Sequence, residues 1–147
     1  MSSTSAQPRI WPSGMLFGVI AVAANLVVFG IARVSSGGDL VVPGWNGNPP
    51  QTVGPVPILF MTLIPAVLAV LFGLALKRFL RSPRTAFLAV VGGLTLLSCA
   101  GPLTSGAGGG TVAALTAMHL LTGGLIGYGV SRALPTADQR ATQTTPA

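Results

Sequence analysis

The sequence predicts an all-α integral membrane protein, a four-helix bundle with both termini cytoplasmic, and three observations carry the prediction. Of its 147 residues, 50% are hydrophobic and 7% charged, with mean hydropathy +0.75, whereas an ordinary soluble domain carries about 25% charged residues. Four apolar runs, at about 14–34, 56–76, 85–103 and 111–134, each match the ~20 residues a helix needs to cross a bilayer. The basic residues alternate between connectors: Arg9, then Lys77, Arg78, Arg81 and Arg84, then Arg132 and Arg140 share one side, and Arg33 alone falls on the other. By the positive-inside rule the first set is cytoplasmic, and a bacterial plasma membrane is the expected location.

Residues 1–12 are polar, end on Trp11-Pro12 and are expected to be a disordered tail reaching the membrane interface. The apolar run that follows, Met15 to Ile31, is longer than the roughly 7 to 15 residues of a signal-peptide core, so it reads as a retained first span. Within it, Gly14, Gly18, Ala21, Asn25 and Ala32 repeat every three to four residues, a small-residue face with one amide. A close helical neighbour is expected there.

Residues 35–55 are rich in Gly, Pro and Asn and hold Asp39, leaving room for no regular element beyond a short extended piece at Leu40 to Val42. The second span contains Pro65, which removes one backbone hydrogen bond, and presents Thr62, Ala66, Ala69 and Gly73 on one face. The basic connector KRFLRSPR leads into a third span that carries Gly92, Thr95, Ser98 and Cys99 and stops near Gly101-Pro102. A glycine run, Gly108 to Gly110, opens the fourth span, and residues 135–147 form a second polar, disordered cytoplasmic tail.

The few polar residues of the spans share a depth. At about 1.5 Å per residue, His119 lies ~12 Å and Thr62 ~9 Å below the outer starts of their spans. Asn25 lies ~16 Å and Ser98 ~19 Å from the cytoplasmic starts of theirs, and Arg33 falls near the outer boundary. These five residues define the candidate site: Asn25, Thr62, Ser98 and His119 lining a polar pocket in the outer half, with Arg33 at its mouth. Polar groups in hydrocarbon turn inward to find partners, and an ionisable one is a functional candidate by default. The competing reading is ordinary glue, interhelical hydrogen bonds of about 0.6 kcal/mol each, with threonine and serine bonded back to their own helices and Arg33 snorkelling to headgroups.

Much chemistry is excluded. No acidic residue lies in a span to drive carboxylate-coupled transport. The single histidine supplies no pair of haem ligands, and no cluster of His, Cys, Asp or Glu suggests a metal, so no cofactor is expected. The glycine run lacks the Lys-Ser/Thr ending of a phosphate loop. The net charge of +6 sits in short clusters without aromatic interleaving, which argues against nucleic acid. Cys99 alone forms no internal disulfide. The leading expectation is therefore a non-enzymatic protein that binds a small or lipidic ligand, or a partner membrane protein. Two rivals are an oligomeric transporter or permease component, since four short spans enclose little, and a membrane enzyme with His119 as general base. Gly14 to Gly18 and Gly123 to Gly127 match the small-xxx-small motif, which serves either packing within the bundle or a homo-oligomer.

The order ANLVVFGIAR in the first span, a Val-Pro in the outer loop, SCAGPL closing the third span and ALTAMHLLTGG in the fourth resembles the bacterial domain-of-unknown-function family 6069. The resemblance runs from about Met15 to Leu134 and implies a small four-span membrane protein. It picks out Asn25, Arg33, Ser98, Pro102, Met118 and His119 and implies no activity. The chain departs from the usual appearance of the family in its glycine-rich third loop.

Overall fold

The computed structural model describes residues 9–44 and 48–136. It contains four helices long and apolar enough to cross a membrane, Ile10–Ser36, Pro55–Phe79, Pro83–Thr104 and Gly109–Ser131. They run up and down as an antiparallel bundle, the fold class expected. Most of the tails expected at 1–12 and 135–147 lies outside the described residues.

Helix α1 (Ile10–Ser36) begins before the expected boundary and takes in Trp11 and Pro12. A proline in the first turn costs no hydrogen bond, because the first amide groups of a helix have no partner within it. The same device opens α2 (Pro55–Phe79) and α3 (Pro83–Ser98), each with proline at its start. Gly37, with φ 66°, closes α1 and returns its N–H to the Val34 carbonyl, a left-handed cap that favours glycine.

The loop after α1 is more ordered than its composition suggests. Strand β1 (Val41–Val42) pairs antiparallel with β2 (Gln51–Thr52), and the Val53 N–H donates to the Leu40 carbonyl at 2.8 Å. Leu40 is fully buried against the bundle and anchors this hairpin. The third span is split into α3 and a short α4 (Ala100–Thr104), with Cys99 between them. Pro102 explains the break: it has no N–H, and its ring crowds the carbonyl four residues earlier. Helix α5 (Gly109–Ser131) stops ahead of Pro135, which disfavours helical backbone in the residue before it.

Packing follows the small-residue face read from the sequence. On α1 the buried positions are Ile10, Gly14, Gly18, Ala21, Asn25 and Phe29, and on α2 they are Ile58, Thr62, Ala66, Val70 and Gly73. A Cβ on Gly14 would overlap the Val70 side chain and come within 3.1 Å of Val130, and one on Gly18 would stand 2.9 Å from Ala66. A Cβ on Gly123 would overlap Thr95. Both small-xxx-small runs thus serve close approach inside the chain. The apolar contacts fall into two groups. One, around Ile10, Val70, Phe87 and Val130, lies at the end of the basic connector. The other, around Phe29, Leu40, Ile58 and Met118, lies at the hairpin end.

Candidate functional site

The polar layer sits between those two apolar groups. The Asn25 amide of α1 donates to the Thr62 hydroxyl of α2 at 3.0 Å and to the Thr122 hydroxyl of α5 at 2.7 Å, joining three helices. Thr62 donates in turn to the Ile58 carbonyl at 2.7 Å, so its remaining lone pair faces the Asn25 nitrogen. That bond fixes which way round the amide lies. Asn25 is 2% exposed, and its Oδ1 is buried with no partner among the described residues. His119 stands one turn from Thr122 on α5, with Nδ1 2.7 Å from the Leu115 carbonyl. A carbonyl only accepts, so Nδ1 carries the hydrogen, and in the uncharged ring Nε2 is a bare acceptor.

This layer borders a cavity of about 830 Å³. Its walls come from α2 (Met61, Pro65, Leu68, Phe72), α3 (Val90, Leu94, Thr95, Ser98) and α5 (Leu115, Met118, His119, Thr122), with Asn25 at the back and Val42, Gln51 and Thr52 of the hairpin at one end. The cavity has a structural cause. Helices α2 and α3 meet near their connector, where Phe72 and Phe87 lie 6.1 Å apart at the ring centroids. Further along, Leu68, Pro65 and Met61 of α2 and Val90, Leu94 and Ser98 of α3 border the gap. Met61 is 73% and Leu94 59% exposed, so the mouth lies on the outer, membrane-facing side of the bundle between these helices. Pro65 stands in that wall and has no N–H to offer the Met61 carbonyl, so the helix lacks one backbone hydrogen bond there.

Of the five residues singled out from the sequence, Asn25, Thr62, Ser98 and His119 line this one cavity. Ser98 does so from an exposed position, with its hydroxyl donated to the Thr95 carbonyl at 2.7 Å. Arg33 is not among the lining residues. It pairs with Asp39 at 2.5 Å, both side chains half exposed, and its guanidinium lies 5.7 Å from the Phe29 ring centroid. Its partner is the start of the hairpin, which it ties to the end of α1. Thr122 is the member of the polar layer that sequence reasoning left out of the candidate site. It shares the face of His119 and Gly123, yet a threonine in an apolar helix ordinarily bonds back to its own turn, and nothing in the sequence marks this one as different from Thr111 or Thr116.

The layer carries no acid and no base other than His119, and no group of three or more His, Cys, Asp or Glu stands together among the described residues. What it provides is a set of hydrogen-bonding groups at the back of an apolar cleft. The model of the family of unknown function DUF6069 matches residues 5–136, the whole bundle. The chain belongs to that family. No curated protein and no solved structure matches this DUF6069 member. The family identity therefore agrees with the four-span architecture, and the chemistry of the cleft has to be argued from its own residues.

Proposed function

We propose that this protein is a non-enzymatic binding protein of the plasma membrane that takes a small lipidic molecule into the cleft between α2 and α3. The observation that carries the reading is a cavity of about 830 Å³ whose mouth is framed by exposed apolar side chains and whose back is a buried polar layer. Its volume falls within the roughly 300–1,000 Å³ of small-molecule sites, which are likewise mostly apolar with a few placed polar groups. A molecule dissolved in the bilayer reaches such a mouth without crossing water.

Native mass spectrometry of the protein extracted gently from its own membrane tests this, wild type beside His119→Ala. The expected result is an added mass on the wild type that is depleted in the variant. Absence of any added mass from both proteins, at equal subunit stoichiometry, would refute the reading and leave the layer as interhelical glue.

The proposed orientation puts the basic connector and both termini in the cytoplasm, as the bias of Lys77, Arg78, Arg81 and Arg84 against Arg33 supports. A fluorescent protein that matures only in the cytoplasm, fused after residue 147, is expected to be bright. A phosphatase active only outside the cytoplasm, fused at the same point, is expected to be silent. The reverse pattern would invert the assignment.

A further inference from the structure

The hydrogen bonds of the layer leave an imbalance. Both amide hydrogens of Asn25 are spent on Thr62 and Thr122, and the hydroxyls of Thr62, Thr95 and Ser98 are spent on helix carbonyls. The Nδ1–H of His119 is spent on Leu115. What remains on Asn25 and His119 is acceptors: Oδ1 of Asn25, buried and unpartnered, and Nε2 of His119. A buried acceptor left without a donor costs about 1–3 kcal/mol, and the Thr122 hydroxyl, which accepts from Asn25, still has its own hydrogen to give, so the site is completed by a guest that both donates and accepts, as a hydroxyl does.

The charge of that guest is constrained as well. No Asp, Glu, Lys or Arg lines the cavity, and the layer lies about 10–20 Å along the helices from their hairpin ends, inside the hydrocarbon. An ion there would be stripped of water with no counter-charge. From these observations we infer that the cleft selects an uncharged lipid bearing a free hydroxyl, whose O–H donates to His119 Nε2, or to Asn25 Oδ1 once a small side-chain shift opens that atom to the cleft, while its chain lies among Leu68, Val90 and Leu94 towards the mouth. The inference rests on the binding role proposed above and adds the chemical class. Long-chain alcohols and diacylglycerols share this chemistry, the first with one chain and the second with two.

The test is competition in detergent micelles against a diazirine-bearing hexadecanol crosslinked to the purified protein. Hexadecanol is expected to displace the probe at about tenfold lower concentration than methyl palmitate, which has a similar chain and accepts but does not donate. Ionised palmitate is expected to compete least. In His119→Phe, and independently in Asn25→Leu, the preference for the alcohol over the ester is expected to shrink towards onefold. His119 is only partly buried, so the first variant remains informative should the second fail to fold. Dioctanoylglycerol in the same assay separates the two sources: competition equal to hexadecanol assigns the two-chain lipid to the site, and weaker competition assigns the single-chain alcohol. Equal displacement by alcohol and ester in the wild type would overturn the hydroxyl rule while leaving lipid binding intact. Crosslinking that no lipid displaces, and that maps outside α2, α3 and α5, would overturn both.

Discussion

Gly14→Leu is expected to dismantle the bundle, with the folded fraction in mild detergent falling below detection or the thermal midpoint dropping sharply. Even a Cβ at this position overlaps Val70 and nearly touches Val130, so a leucine side chain has to push α1 away from α2 and α5 together. Overpacking costs about 1–3 kcal/mol in soluble cores. The cost here is expected at or above the upper end of that range. Helices in lipid gain little from burying apolar surface and depend on the close approach that small residues permit. The control is Gly30→Leu on the same helix, where a Cβ meets nothing within 4 Å. Circular dichroism and size-exclusion chromatography read both variants, and equal stability of the two would show that α1 does not pack as described.

Val90→Trp is expected to remove the bound molecule while leaving the fold unchanged. Val90 borders the cleft and is 42% exposed, so the larger ring has room to swing into the gap instead of displacing a packed neighbour. Occupancy in native mass spectra is expected to fall by at least about tenfold, the equivalent of ~1.4 kcal/mol. The thermal midpoint of the emptied protein is expected to stay level or rise, because the indole covers apolar wall that the guest otherwise covers. Val27→Trp supplies the comparison, an equally conservative change at an exposed position of α1 away from the cleft. Unchanged occupancy in Val90→Trp would place the bound mass elsewhere on the molecule.

The parts of this architecture that the sequence made legible are those governed by short-range periodicity. The face formed by Gly14, Gly18, Ala21 and Asn25 repeats at the spacing of a helix, and it is the buried face of α1. The depth of Asn25, Thr62 and His119 follows from counting residues along each span, and all three border one cavity. A pocket at these residues was expected, but its size and its opening between α2 and α3 were not legible, because they arise where the two helices diverge beyond Phe72 and Phe87, and no local pattern encodes the distance between two helices. Nor was the pairing of Arg33 with Asp39 foreseen. Each residue had a sufficient separate explanation, one as an interfacial cation and the other as a loop acid, and only the ordered hairpin brings them together.

The amide at Asn25 also bears on how the inserted helices find their alignment. Stripes of glycine and alanine repeat every turn, so apart from the closest approaches, Gly14 on Val70 and Gly18 on Ala66, little in them resists a slide of α1 along α2 by one turn. The same slide would carry Asn25 away from Thr62 to face Ile58 or Ala66, stranding both amide hydrogens in hydrocarbon. Together with those close approaches, the contact of Asn25 with Thr62 and Thr122 thereby singles out one axial register. The hydrogen-bonded layer acts as a vernier for assembly, whatever the cleft beside it holds.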